Sequence, residues 1–187
     1  MRSIVTFVNL VSRWRMPDQR AFVTFVLEEC EANWDRVGGF LPHQLKESVV
    51  KQTLLKWCDD QTIDSRPFRW YGRVFKSETH LSRAVEIDPL DDVARTVLLN
   101  WMIDQIDYSL HHMPEGYIGD PVEDLAYATQ LQGLIEVVQD VAEREAWQGE
   151  LDFSVELINN YLDWRKSGHP NLEAWGAENN KRVGFRN

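Results

Sequence analysis

The sequence predicts an all-α protein, an irregular antiparallel helical bundle within a single domain spanning residues 1–187. Apolar residues recur every three or four positions along most of the chain, which is the spacing of one helix face. Proline, glycine and capping residues stand at the ends of these stretches. No segment requires a sheet. With 43% hydrophobic residues, the chain is long enough to bury a substantial core without disulfides or metal.

Three helices are expected in the first third of the chain. The first ends near Pro17, although its β-branched residues leave a strand open as the alternative. The second opens at Pro17 and continues towards Trp34, and a loop follows at 37–40. Pro42 suits the first turn of the third helix, because that turn needs no amide donor. The polar run 59–64 ends it, and a short aromatic helix begins at Arg66.

Residues 79–95 contain a pattern typical of a helical hairpin. Within THLSRAVEIDPLDDVAR, a helix is expected to end at Asp88-Pro89, because proline cannot continue a helix. Asp91 or Asp92 is then placed to cap the next helix. Ala84, Glu86, Ile87, Asp88 and Pro89 resemble the corresponding positions of the tetratricopeptide-repeat family. The resemblance implies a tetratricopeptide-like hairpin inside the bundle and, as in that family, a surface that binds protein.

The helix expected from Asp91 onward is the most apolar in the sequence, with one narrow polar strip. The strip consists of Asn100, Asp104, Asp107 and His111, which are spaced four, three and four residues apart. At about 100° per residue, these four positions lie within roughly 60° of one another. A loop at 113–119 follows the helix. Polar groups on so apolar a helix need partners, so the strip is the best candidate for a site.

The last third of the chain is predicted to contain two long helices and a short one. Asp120 and Pro121 begin the first, which is expected to reach about Trp147 and to break at Gly149. The second is expected to end at 168–170. Asn171 is placed to cap a short turn that carries Trp175. The basic tail from about residue 177 is expected to be mobile unless it docks back on the acidic segment.

The net charge of −10 is unevenly distributed along the sequence. The segment 84–163 has eighteen acidic residues and two basic ones, Arg95 and Arg144, and so carries −16, while the rest carries +6. Nucleic acid is disfavoured as a partner because phosphate contact requires a basic surface. An acidic surface attracts a basic protein, although acidic residues also serve simply as a solvated surface.

The compartment is inferred from the absence of secretory features. No run of about 18 apolar residues exists, so no transmembrane helix is expected. The two cysteines, Cys30 and Cys58, fit a reducing, cytoplasmic setting. Both are flanked by acidic residues, which disfavour the thiolate, so they are expected to be core residues and not nucleophiles.

The polar strip has a metal-binding interpretation and a structural one. Asp107 and His111, one turn apart, could ligate a divalent metal, with His112 beside them and Tyr117 as a lid contact. Alternatively, the strip is a solvent-facing groove strip or a buried network that fixes the helix register, and the histidines bond to the backbone at the helix end. Of the aromatic residues, Trp70, Tyr71 and Trp175 lie in the weakest apolar stripes and are the expected exposed ones.

The leading functional hypothesis is a non-enzymatic protein-binding module that uses its acidic helices and no cofactor. A small acidic protein that neutralises a basic partner, in the manner of a toxin-immunity protein, is one form of this hypothesis. The alternative is a small-molecule or metal site, with hydrolysis as one possible chemistry, on Asp104, Asp107 and His111. In a third interpretation, the polar strip forms a homodimer interface.

Overall fold

The all-α prediction is confirmed for the part of the chain that the structure describes. The computed structural model describes residues 2–33, 41–60 and 63–184, and its regular elements there are all helical. A π-helical turn (Lys46–Val50) joins the third and fourth helices. The helices are α1 (Arg2–Val11), α2 (Met16–Ala32), α3 (His43–Leu45), α4 (Lys51–Asp59), α5 (Arg66–Phe75), α6 (Glu78–Ile87), α7 (Asp92–Leu110), α8 (Pro121–Glu136), α9 (Val141–Ser167) and α10 (Leu172–Asn179).

The chain divides into two compact units, Met1–Arg95 (unit 1) and Thr96–Asn187 (unit 2). The division falls near the start of α7. The expectation of a single domain remains a prediction. The predicted loop at 37–40 lies outside the described residues.

Unit 1 has an apolar core to which α1 contributes as a helix, which settles the helix-or-strand alternative. Trp70 of α5 is 1% exposed and belongs to this core. Its burial contradicts the prediction of an exposed Trp70. The ring of Trp57 packs edge-on against it, with the centroids 6.2 Å apart. The other members of the core are Val8, Val11, Val23, Leu27, Leu45, Val49, Val50 and Leu54.

The start of α7 is fixed by a buried network of charged groups in unit 1. Asp91, 6% exposed, accepts a hydrogen bond from the Ala94 amide at 3.0 Å, which selects it over Asp92 as the cap. Its carboxylate also accepts bonds from Ser65 Oγ at 3.0 Å and from Arg69 at 2.9 Å and 3.0 Å. Arg69 binds Glu31 of α2 as well. Each buried charge in this network is therefore compensated.

Helices α5 and α6 form a closely packed hairpin. Pro67 lies in the first turn of α5, and a Cβ added at Gly72 would lie 2.6 Å from Leu81 Cγ. α6 ends at Ile87, directly before Asp88-Pro89, where the sequence pattern predicted an end. The resemblance to the tetratricopeptide repeat itself remains a prediction.

In unit 2, the break between the two long helices lies earlier than predicted. α8 begins as expected, with the Asp120 carboxylate accepting a bond from the Val122 amide at 2.8 Å, but it ends at Glu136. Asp140 then caps α9 through the Glu143 amide at 2.8 Å. α9 continues through Gly149 without interruption, so the predicted break there is wrong. A strong cap outweighs one glycine, which costs a helix only about 1 kcal/mol.

The C-terminal part of unit 2 follows the predicted boundaries. Gly168, with φ 71°, ends α9, and Asn171 caps α10 by accepting a bond from the Ala174 amide at 2.7 Å. Trp175 is 8% exposed, so its predicted exposure is also wrong. Residues 181–184 pack back on unit 2, which is the docking alternative for the tail; 185–187 lie outside the described residues.

Candidate functional site: the acidic surface of unit 2

The predicted polar strip lies along α7, and its side chains differ in how far they are exposed to solvent. Asn100 and Asp104 are exposed, and Asn100 Nδ2 donates to the Thr96 carbonyl one turn earlier, at 2.8 Å. Asp107 is half-buried and accepts a hydrogen bond from Ser154 Oγ of α9 at 3.5 Å. The strip therefore runs from the solvent at Asn100 to a contact with α9 at Asp107.

Asp107 lies in a local concentration of negative charge. Partial burial raises the pKa of its carboxyl, and repulsion from Glu150 and Asp104 raises it further, while the Ser154 hydrogen bond opposes the change. In the described part of the chain, none of these three carboxylates forms an ion pair. Because no cation compensates them internally, their charge is available to a binding partner.

His111 belongs to the end of α7. Its ring Nδ1 lies 2.5 Å from the Tyr108 carbonyl oxygen, and the ring packs against Tyr108 and His112, with centroids 5.0 Å and 4.1 Å away. A hydrogen bond at this distance requires Nδ1 to carry the proton, since a carbonyl oxygen only accepts. For His111, this contact agrees with the structural interpretation.

The residues named for the metal alternative do not meet around a common point. The Asp107 carboxylate accepts a hydrogen bond from Ser154, and the His111 ring bonds to the Tyr108 carbonyl of its own helix. Across the residues with described positions, no group of three or more His, Cys, Asp or Glu side chains is arranged to hold a metal ion. His112 is exposed at the helix end.

Tyr117 is held within unit 2. Its hydroxyl donates a hydrogen bond of 2.6 Å to Asp124 of α8, and its ring packs on Tyr161 of α9, with centroids 5.0 Å apart. Burial raises the pKa of the Tyr117 phenol, and the Asp124 carboxylate raises it further. In this structure, Tyr117 joins the 113–119 loop to α8 and α9.

The exposed aromatic residues lie elsewhere than the sequence predicted. Phe7 of α1, Trp14 of the turn after it, Phe25 of α2 and Tyr108 of α7 are 37%, 38%, 63% and 63% exposed. Phe7 and Trp14 both contact Phe22 edge-on. The sequence pattern did not identify these residues as exposed, because apolar periodicity cannot distinguish a helix that is covered on one side from a helix that is covered on both.

The environments of the two cysteines disfavour thiolate chemistry. Burial raises the pKa of the Cys58 thiol to about 12, and Asp59 contributes to the change. Burial also raises the pKa of the Cys30 thiol, with Glu29 and Glu31 adding to it. Both residues are half-buried, and neither has the depressed pKa of a reactive nucleophile.

Sequence reasoning missed a set of side chains on α9 that holds the C-terminal segment. Asn160, 3% exposed, donates from Nδ2 to the Arg182 carbonyl at 2.8 Å. The Arg182 guanidinium lies 3.6 Å from a Glu156 carboxylate oxygen and 5.3 Å from the centroid of the Phe153 ring. The available signal was the spacing of Phe153, Glu156 and Asn160, which places them on one face of a helix.

The charge of the protein coincides with the division into units. Residues 1–95 contain fourteen acidic and fourteen basic residues, whereas 96–187 contain sixteen acidic and six basic ones. The formal net charge of −10 therefore belongs to unit 2. Unit 1 is neutral, and its described charges include the paired network around Arg69.

Comparisons with protein-family models, with curated proteins and with solved structures find no match for this chain. In the ranges that the structure describes, no helix combines the length and the apolar character needed to cross a membrane.

Proposed function

We propose that this protein is a non-enzymatic binding module whose unit 2 recognises a basic protein. One observation carries the proposal: the whole net charge lies in residues 96–187, and Asp104, Asp107 and Glu150 have no described cation partner. Complementary charge accelerates the encounter with a partner of opposite sign and suppresses wrong partners. A toxin-immunity protein is one form of such a module.

The same charge argues against partners of other classes. A surface of this sign repels the phosphates of nucleic acid, whose binding depends on neutralisation by Lys and Arg. The nearby Asp107 carboxyl, with its raised pKa, also gains from the approach of a cation, because a positive charge offsets the repulsion from Glu150 and Asp104. A basic partner is therefore favoured by this part of the surface.

The test compares three full-length baits in lysate of the native host, with bound proteins identified by mass spectrometry. The baits are the wild type, D104K/E150K in unit 2 and E29K/D59K in unit 1. All four substituted side chains are exposed, and each double variant changes the charge equally. Wild type and E29K/D59K should retain a basic protein at low salt. D104K/E150K should not retain it, and high salt should release it from the wild type and from E29K/D59K.

The proposal fails if the wild-type bait captures no basic protein. It also fails if capture is unaffected by both charge reversal in unit 2 and salt. A purely apolar interface would give the latter result, since screening weakens only interactions between charges.

A further inference from the structure

The last described residues of the chain lie outside any helix and contact α9 through a hydrogen bond, an ion pair and a cation–ring contact. We propose that one face of α9 is the docking site for an arginine-bearing, extended segment of the basic partner. This face, called the α9 stripe, consists of Phe153, Glu156 and Asn160. The chain's own residues 181–184 (the C-terminal segment) occupy it as an internal ligand. The inference rests on the proposed function and names the part of unit 2 that would make specific contacts.

Each member of the α9 stripe recognises a different property of the bound segment. Glu156 contacts the positive charge of Arg182, and Phe153 contacts the flat guanidinium group, a combination for which arginine is better suited than lysine. Asn160 bonds to the main-chain carbonyl of Arg182, a group that every extended peptide presents. The stripe therefore specifies arginine at one position while accepting varied neighbours.

The buried amide of Asn160 is the feature that distinguishes a docking site from a casual surface contact. Its Nδ2 lies in a side chain that is 3% exposed, and the Arg182 carbonyl is its described acceptor. A buried donor needs an acceptor, so departure of the C-terminal segment favours a replacement segment that supplies another carbonyl. The guanidinium contact is easier to exchange, because Arg182 and Glu156 are both more than one-third exposed.

Gly176 permits the C-terminal segment to approach α10. A Cβ added there would lie 2.9 Å from the Lys181 carbonyl oxygen and 2.9 Å from both γ-carbons of Val183. The Lys181 amide donates to the Gly176 carbonyl at 2.8 Å in the same contact. Alanine at position 176 would therefore push the segment away without altering any side chain of the α9 stripe.

The charges of the segment match the role of an internal ligand. Residues 181–187 include Lys181, Arg182 and Arg186 and no acidic residue, whereas α9 carries Glu150 and Glu156 among its exposed side chains. A tethered ligand has a high effective concentration, so it excludes weak competitors and yields to a partner that adds further contacts. The acidic surface around Asp104 and Glu150 could supply such contacts.

The test measures, by fluorescence anisotropy, the binding to full-length protein of a C-terminally labelled peptide with the sequence of residues 182–187 and the change Val183→Gly. This peptide keeps Arg182 but lacks the Lys181 carbonyl and the Val183 side chain, which are the groups that a Cβ at position 176 would meet. In wild type the internal segment competes with the peptide, and in G176A it is displaced. We expect G176A to bind the peptide at least about tenfold more tightly than wild type, since a tether gives a large competitive advantage. The matched control is G149A, whose added Cβ meets nothing within 4 Å, and it should behave as wild type.

Two further measurements assign the binding to the stripe. A peptide with alanine in place of Arg182 should bind G176A weakly, and the intact peptide should bind G176A/E156Q more weakly than G176A. If circular dichroism shows that G176A does not fold, full-length R182A replaces it, because that change removes a segment contact and adds no atoms to unit 2. The same order of affinities is then expected.

Equal binding of the peptide to G176A, G149A and wild type, or no binding to any of them, would overturn the proposal. So would tight binding that does not depend on the arginine of the peptide. Failure of the docking proposal can be distinguished from failure of the proposed function. If the wild-type bait captures a basic protein in a salt-dependent way but G176A does not bind the peptide, only the docking site is refuted. Peptide binding by G176A without any captured basic protein refutes the proposed partner.

Discussion

Asp107 illustrates how a single half-buried carboxylate can lower the stability of a folded protein at neutral pH. Its pKa is raised by partial burial and by repulsion from Glu150 and Asp104, so the folded protein holds a proton at this position more tightly than the unfolded chain does. At neutral pH, the charged form therefore costs stability. A basic partner would reduce this cost by supplying the missing positive charge.

Replacing Asp107 with Asn should stabilise the protein at pH 7. Below pH 3.8, the ordinary pKa, Asp107 is protonated in both the folded and the unfolded protein, so its charge does not affect the free energy of unfolding. Once the pH exceeds the raised pKa of the folded state, the full loss of stability from the charged carboxylate is present. Because the group is half-buried and screened, we expect a gain of about 0.5 kcal/mol in the free energy of unfolding. Urea titrations from pH 4 to pH 7 measure it.

The gain for D107N should grow as the pH rises, since only the wild type acquires the unfavourable charge. D152N is the control: Asp152 is exposed on α9, and Asn keeps an oxygen for the Gln148 hydrogen bond. D152N should not reproduce the gain in the free energy of unfolding that D107N shows at pH 7, because the Asp152 side chain is exposed. A D107N variant that is less stable than wild type at pH 7 would contradict this account of Asp107.

At the scale of helices, two glycines that look alike in sequence have opposite roles. Gly72 lies where α5 meets α6, and a Cβ there would be 2.6 Å from Leu81 Cγ and 2.9 Å from the Leu81 amide nitrogen. Gly149 lies on the exposed side of α9 with open space around it. Glycine is required at position 72 by close packing, whereas at 149 it only lowers helix propensity.

Alanine substitutions should therefore change stability in opposite directions. G149A should raise the free energy of unfolding by about 0.5–1 kcal/mol, because alanine loses less backbone entropy in a helix. G72A should lower it by roughly 1–3 kcal/mol, because the hairpin must move apart to admit the methyl group. Urea denaturation followed by circular dichroism measures both. A stabilised G72A would show that α5 and α6 are less closely packed than described.

At the scale of helices, a boundary was predictable where one residue marks it, as at the starts of α7, α8 and α10 and at the ends of α6 and α9. Asp91, Asp120 and Asn171 each accept a hydrogen bond from an amide in the first turn, and such caps depend on one side chain and its neighbours. The end of α8 at Glu136 had no comparable local signal. The end of α8 therefore could not be predicted from the sequence. The start of α9 does have a local signal, because Asp140 is a capping residue, but the sequence analysis did not use it.

At the scale of the whole molecule, the sequence predicted the acidic character of the candidate site but not its contacts. Charge is additive, so counting residues located the negative segment. The α9 stripe depends on where residues 181–184 return in space, and no local pattern gives a separation of 22 residues between Asn160 and Arg182. Burial of Trp70 and Trp175 was also a tertiary property, set by neighbouring helices.

The concentration of charge in unit 2 predicts how stability responds to salt. The sixteen acidic and six basic residues of unit 2 repel one another on balance, whereas the fourteen acidic and fourteen basic residues of 1–95 balance in number. The screening length falls from about 30 Å at 0.01 M salt to about 8 Å at 0.15 M. Raising NaCl over this range should therefore raise the Tm of the wild type. In a chain of this size, a gain of about 1 kcal/mol in the free energy of unfolding corresponds to a rise of roughly 2–4 °C in Tm.

Neutralising carboxylates in unit 2 should reduce this response to salt. D104N/E150Q removes the two charges that repel Asp107, so its Tm at low salt should exceed that of the wild type and should rise less with NaCl. E29Q/D59N makes the equivalent change in the neutral unit and leaves the repulsion in unit 2 intact. If both double variants keep the salt dependence of the wild type, the charge of unit 2 is dispersed too widely to act as one surface, and its attraction for a basic partner would be correspondingly weak.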